Sequence, residues 1–319
     1  VSDLEALILG AAEQYTRFEV AERSGLDPQV TLRYWRALGF ANVSDDAVAF
    51  TEMDVRALRQ VRRFVDDLPV TEDEIVRVVR VLGQSTARLA EWFAEEISEW
   101  QRRHAADRLE PEAILPVLQR LIKIALPELD DLVVYALRRQ LAAVIARVAE
   151  DAREAVQANV AVGFADLVSF TRLSRRLEMR ELAGLIEAFE AAAADIVAAQ
   201  SGRLVKTLGD EVLFATDSPD NAAEIGLQLV ERLAAHPDMP DLRVGIAYGK
   251  VLSRMGDMFG PTVNLASRLT SMASPATIVV DRQLAEALQY NAAYRLSMMR
   301  RRPVRGLGLV EASRLRRAR

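Results

Sequence analysis

The chain has 319 residues, no cysteine and only two histidines, His104 and His236. A disulfide framework and a thiolate metal site are excluded, a histidine dyad nearly so, and chemistry falls to carboxylates, arginine, lysine and backbone. With 46 acidic against 41 basic residues the formal net charge is −5, which argues against a dominantly electrostatic nucleic-acid binder.

No run approaches the ~18 apolar residues of a membrane span and the N-terminus lacks a signal pattern, so a soluble, cytoplasmic protein is expected. Among the basic residues only Lys123, Lys206 and Lys250 are lysine, so a lysine in a polar motif invites a chemical reason.

From residue 1 to about 150 the apolar positions recur at helical spacing, with breaks at Gly25, Gly39, Pro69, Pro111 and Pro127. Tyr15 to Phe64 has a finer texture: a short helix at Phe18–Ser24, a turn at Gly25-Leu26-Asp27-Pro28, a helix carrying Thr31 to Trp35, then Gly39-Phe40 and a helix opening at Thr51. That layout resembles the MerR-type winged helix-turn-helix. Residues 127–158 read as one helix whose Val134, Leu137, Leu141, Val144 and Val148 alternate gaps of three and four. Such a seam suits a paired helix, or one face packed on its own domain. The expected organisation is a helical domain over 1–126, a linker helix over 127–158 and an α+β domain over 159–319.

In the last segment Val160–Ala165 reads as a buried strand ending at Asp166, and Ser174 as the cap of a broken helix to about Ser201. Arg203–Thr207 and Val212–Ala215 flank Leu208-Gly209-Asp210-Glu211, a hairpin signal. Helix follows from Pro219 to about His236, strand over Leu242–Leu252, helix over Pro261–Met272, strand over Thr277–Val280 and helix over Arg282–Leu288. Strands close the chain near Tyr294–Arg300 and Leu309–Leu315. The pattern predicts a mainly antiparallel sheet carrying helices on one side.

Three segments carry candidate chemistry. In Phe164-Ala-Asp166-Leu-Val-Ser-Phe170-Thr171 a strand runs into a carboxylate and then a helix start, where free N–H groups and an acid suit a metal-bound polyphosphate; the plain reading is a helix cap. In Lys206-Thr-Leu-Gly209-Asp210 a second carboxylate sits at a hairpin tip, alone an ordinary turn. In the third, Asp257 precedes a Gly260-Pro261 helix start, after which Asn264 and Arg268 share one helix face. Alone, that face is merely solvated.

Together, in order and with these gaps, the segments resemble the class III nucleotidyl cyclase domain over Val160 to Leu315. The resemblance implies a ferredoxin-like α+β domain with Asp166 and Asp210, 44 residues apart, as metal ligands for two Mg²⁺ or Mn²⁺ ions per site. It implies Lys206 and Asp257 as the pair that selects the base, Asn264 on the ribose and Arg268 on the transition state. Arg305 matches the triphosphate-binding basic residue of the last hairpin, and Phe170 and Thr171 lie in the phosphate-binding turn. Lys206 offers one compact cationic donor and Asp257 an acceptor, which suits the adenine edge and rejects guanine.

The implied substrate is ATP and the product 3′,5′-cyclic AMP, made in a homodimer whose two sites each draw on both chains. The helical half resembles the regulatory domain ahead of some actinobacterial cyclases, where it restrains catalysis and makes it pH-dependent; His104 and the cluster Glu128, Asp130 and Asp131 are the candidate sensors. DNA binding is not expected, because Glu13, Glu19, Glu22, Asp27, Asp45 and Asp46 offset Arg33 and Arg36. The alternative is a DNA-binding regulator with a nucleotide-sensing cyclase-like domain.

Overall fold

The computed structural model describes residues 2–105, 111–154, 159–235, 239–254, 256–304 and 308–318, which form two compact units, Val1–Ala146 and Arg147–Arg319. In the first, α1 (Ser2–Leu9), α2 (Arg17–Ser24), α3 (Pro28–Ala37) and α4 (Glu52–Asp67) precede two long helices, α5 (Glu72–Ala105) and α6 (Pro111–Glu154). The short helices begin where the sequence supplies caps: Thr16 with Glu19 and Thr51 with Asp54 form capping boxes, and Asp27 caps α3 ahead of Pro28. Gly25, at a φ of 71°, ends α2 in the left-handed conformation.

Val20, Tyr34, Phe50, Val55, Val76 and Val79 make this unit's core, and Tyr15 and Phe50 form an isolated β-bridge. The α6 helix continues through Pro116 and Pro127, so the break expected at Pro127 is no helix end. A proline forfeits one hydrogen bond of the ladder, and the rest of a 44-residue helix carries past it. The seam side chains Val134, Leu137, Leu141 and Val144 are exposed, whereas Val148 lies outside the described side chains.

The second unit is built on one seven-stranded sheet. Its strands are β1 (Val160–Leu167), β2 (Arg203–Leu208), β3 (Glu211–Thr216), β4 (Leu242–Gly249), β7 (Thr277–Asp281), β8 (Tyr294–Met298) and β11 (Ala312–Arg317), in the order β2-β3-β1-β4-β7-β11-β8. All neighbours are antiparallel except β4 and β7. Two small hairpins stand apart, β5 (Leu252–Arg254) with β6 (Asp257–Phe259) and β9 (Arg302–Val304) with β10 (Gly308–Val310). The helices are α7 (Phe170–Leu173), α8 (Met179–Ala199), α9 (Pro219–Ala234), α10 (Pro261–Met272) and α11 (Arg282–Leu288).

Strand alternation sorts this unit into two cores. Ala161, Ala165, Phe214, Ile246 and Leu315 face Phe189, Ile196, Leu229 and Leu284 of α8, α9 and α11. Val162, Phe164, Leu213, Ala247 and Val279 face Val263, Ala266 and Leu269 of α10. Helices therefore cover both faces rather than the expected one, because the strands are apolar on both sides. Ser174 also departs from expectation: it ends α7, and α8 opens instead at Glu178, whose backbone N–H bonds Glu181.

Candidate active site

Three strands bring the predicted carboxylates to one end of the sheet. Asp166 lies one residue from the end of β1, directly opposite Glu211 on β3 and Arg243 on β4. All three project toward the α10 side, the face shared by Phe164, Leu213 and Gly245. Asp210 sits in the turn between β2 and β3 beside Gly209, whose φ of 68° a side chain would resist, and its carbonyl accepts the Leu167 N–H at 2.9 Å. That bond ties the hairpin tip to the end of β1.

The electrostatics follow from this crowding. Asp166 is buried and accepts a charge-assisted hydrogen bond from Arg243 Nε at 2.5 Å. Burial pushes its carboxyl above the ordinary carboxylate range, the Arg243 guanidinium pulls back, and the Asp210 charge adds to the rise. Glu211 is pushed up to about 7, first by burial and then by Asp166 and Asp210. Sequence reading missed both Glu211 and Arg243. Glu211 reads only as the end of the hairpin signal and Arg243 as an ordinary strand residue, and only the registers of β3 and β4 against β1 bring them to Asp166.

Lys206 and Asp257, 51 residues apart in sequence, meet at 2.6 Å between Nζ and Oδ2. Lys206 is opposite Leu213 on the α10 side of the sheet, after a bulge that shifts β2 by one residue past Leu204. Asp257 comes from the β5–β6 hairpin, anchored by buried Met258, and its second oxygen accepts the Met258 N–H. The Lys206 ammonium holds the Asp257 carboxyl below its usual range, assisted by that backbone bond. Both groups remain about one-third exposed, at 36% and 30% of their side chains, so the pair presents its outer edge to a ligand.

Asn264 and Arg268 lie on the outer face of α10. Val263, Ala266, Leu269 and Thr270 of that helix are buried against the sheet, whereas Asn264 and Arg268 are exposed and turned away from it. The structure therefore brings together Asp166, Asp210, Lys206 and Asp257 on one side of the sheet and leaves Asn264 and Arg268 aimed outward. Phe170 packs against the first core and Thr171 is exposed at the start of α7, after Ser169, which stands at a φ of 62°. Arg305 lies outside the described residues.

Asp166 and Asp210 are hard oxygen donors close enough for the Asp210 charge to raise the Asp166 carboxyl, a donor type that suits Mg²⁺ or Mn²⁺ when water and phosphate complete the shell. No group of three or more His, Asp or Glu side chains among the described residues forms a closed metal cage. No helix among the described residues is long and apolar enough to cross a membrane.

Comparison with known proteins gives the family. Residues 153–315 match the adenylate and guanylate cyclase catalytic domain, and residues 5–113 match the adenylate cyclase regulatory domain. An adenylate cyclase of Streptomyces coelicolor is 47% identical over 97% of this chain and 87% of its own length, and one of Streptomyces griseus is 49% identical over 89% and 71%. A pH-sensitive adenylate cyclase of Mycobacterium tuberculosis is 32% identical over 85% of this chain and 69% of its own. With matched domains over most of its length and these whole-chain likenesses, the chain belongs to the class III adenylate cyclases, the regulatory domain preceding the catalytic one.

Proposed function

We propose that this chain converts ATP to 3′,5′-cyclic AMP and pyrophosphate in a homodimer with two shared sites. The observation that carries the reading is the outward face of α10. Asn264 and Arg268 are exposed on α10 and turn away from the sheet end that holds the Asp166 and Asp210 carboxylates, so they serve a nucleotide whose metal ions a second copy holds. In this reading the carboxylate half of each site comes from one protomer and the Lys206, Asp257, Asn264 and Arg268 set from the other.

Asp166 and Asp210 would hold the metal ions, which when bound lower the pKa of the 3′-hydroxyl and neutralise the phosphates. Lys206 donates to a ring nitrogen of adenine and Asp257 accepts from its amino group; their 2.6 Å contact keeps both ready at the base edge. Guanine, with donor and acceptor reversed, meets like against like. Asn264 orients the ribose so that its 3′-oxygen lies in line with the α-phosphorus. The new O3′–P bond forms as the bond to the pyrophosphate oxygen breaks, the hydroxyl proton leaves to solvent, and Arg268 carries the charge that builds on the α-phosphate. Thr171 and Phe170 offer backbone N–H groups, and Arg305 a cation, to the triphosphate.

The helical region is proposed to restrain this chemistry, and to make it depend on pH as activity does in the pH-sensitive mycobacterial adenylate cyclase. Support comes from α6, which ends at Glu154 shortly before β1 opens at Val160, and from its exposed Val134, Leu137, Leu141 and Val144, an apolar stripe suited to a partner helix. Glu128, Asp130 and Asp131 are the candidate sensors on that helix; the His104 side chain lies outside the described residues. DNA has no part in the reading, since Arg33 is taken by Glu72 and Asp73 and Arg36 by Asn42. Domain boundaries at 126 and 158 and a cytoplasmic setting complete the proposal.

The test is cyclic AMP formation by the purified chain with ATP and Mn²⁺ or Mg²⁺, and with GTP in parallel. ATP turnover with little GTP turnover is expected; no turnover with either metal overturns the assignment. A chain starting near Asp151 should outrun the whole protein at some pH between about 5.5 and 8, the range in which protein pH switches commonly work. No gain anywhere in that range removes the restraint from the proposal.

A further inference from the structure

Three arginines on the outer strands have no counterpart in the chemistry above. Arg316 on β11 lies directly opposite Arg295 on β8, and Arg314, two residues earlier on β11, lies opposite Ser297. Alternation puts all four side chains on one face of the sheet, the face of Val279 and Ala312, because Arg314 also pairs with Val279. Leu315 and Arg317 project to the other face, where Arg317 is held by Glu224 and Glu231.

Like charges directly across a strand pair destabilise a sheet, and among the described residues no acid offsets them. Among the described residues, none of Arg295, Arg314 and Arg316 has a side-chain ion pair or hydrogen bond. Nearby arginines differ: Arg282 and Arg301 both reach Glu311, and Arg317 takes two glutamates. The Arg314 Nε–H is moreover buried without an acceptor, and a buried unmatched donor on a cation carries a substantial penalty.

The geometry points to an oxyanion site, and we propose that Arg295, Arg314 and Arg316, with the exposed Ser297 hydroxyl, bind inorganic phosphate or a small phosphate ester free in solution. Opposed strand residues have Cβ atoms about 5 Å apart and diagonal ones about 7 Å, so all three guanidinium forks have the reach to bind one tetrahedral anion. The site is separate from the carboxylates of one chain, since β4 and β7 lie between β1 and β11, a span of about 14 Å at the usual strand spacing.

The experiment is thermal unfolding of the full chain in EDTA, with inorganic phosphate replacing chloride at constant ionic strength. Wild type should melt higher as phosphate rises. Arg316→Gln and Arg295→Gln should melt no lower than wild type in chloride, since each removes one of two opposed charges, yet require at least about tenfold more phosphate for the same gain. Arg316→Lys should fall between, keeping charge without the fork. Arg268→Ala should respond as wild type does, which separates this site from the catalytic face. Equal phosphate gains in wild type and both glutamine variants overturn the proposal. So does capture of the chain on phosphatidylserine–phosphatidylcholine vesicles, lost in Arg316→Gln, with no response to free phosphate, because the occupant would then be a membrane surface.

Discussion

The link between packing and catalysis is sharpest at Gly245, in the middle of β4 beneath α10. A Cβ at this position would lie 2.1 Å from the Thr270 backbone nitrogen, 2.5 Å from Thr270 Oγ1 and 2.6 Å from the Ala266 carbonyl. Ordinary contact begins at 3.4 Å, so Gly245→Ala demands 3.4 − 2.1 = 1.3 Å of clearance from helix backbone, which no rotamer change can supply. Thr270 also donates to Phe164 and Ala266, so α10 is tied to β1 where it would have to lift. Overpacking of this kind costs about 1–3 kcal/mol, which the fold survives at a lower melting temperature.

Activity should suffer more. Asn264 and Arg268 ride on α10, and a shift of about 1 Å in a positioned group costs about 100-fold in rate. The assay is kcat for cyclic AMP formation well below the variant's melting temperature. Gly226→Ala serves as the control, because its nearest neighbour is the far end of the Ile246 side chain at 3.1 Å, on the opposite face of the sheet. Within about twofold of wild-type kcat is expected there, the helical Gly-to-Ala gain offsetting the tight contact. If Gly245→Ala keeps half of wild-type kcat, or Gly226→Ala loses as much, α10 placement does not govern the rate.

Asp166→Ala and Arg268→Ala should each abolish turnover while leaving the dimer intact, and co-expressing them should restore it through the one whole site of the mixed dimer. No recovery despite demonstrated subunit exchange would refute shared sites. Lys206→Met should raise KM for ATP and lower kcat/KM about 100-fold, since Asp257 loses the cation at 2.6 Å; an unchanged ATP-to-GTP ratio would contradict base selection. Glu211→Gln should stabilise the metal-free protein with a particular pH dependence. The folded carboxyl, raised to about 7 from an ordinary 4.5, keeps a proton that the unfolded chain has released, so wild type loses stability as pH rises between those values. The melting gain of the variant should be absent near 4.5 and complete above about 7; a gain independent of pH would refute the crowding of Asp166, Asp210 and Glu211.

Local signals were legible where one element carried them. The run from Val160 and the Gly209-Asp210 tip read correctly because strand periodicity and a two-residue turn are short-range properties, and Asn264 with Arg268 needed only helical spacing. The β5–β6 hairpin did not, because two three-residue strands around Gly256 are too short to show alternation, and the sequence over Leu242–Leu252 reads as one strand. Glu211 and Arg243 escaped for a different reason. Each lies at an ordinary strand end, and its meaning appears only once β3 and β4 are set in register against β1.

That register is also why so few side chains suffice. Asp166, Glu211, Lys206 and Arg243 reach the α10 face only because β1, β2, β3 and β4 are each in phase, with apolar residues alternating between two separate cores. A slip of one residue in β1 would send Asp166 among Leu185 and Phe189 and expel Ala165 onto α10, so burial in both cores selects against it. The bulge past Leu204 lies where a regular β2 would turn Lys206 away from Asp257. A chain with no cysteine and two histidines can crowd such groups because the sheet sets carboxylates and cations at fixed spacings, close enough that Asp166 and Asp210 add to the burial that raises Glu211 to about 7.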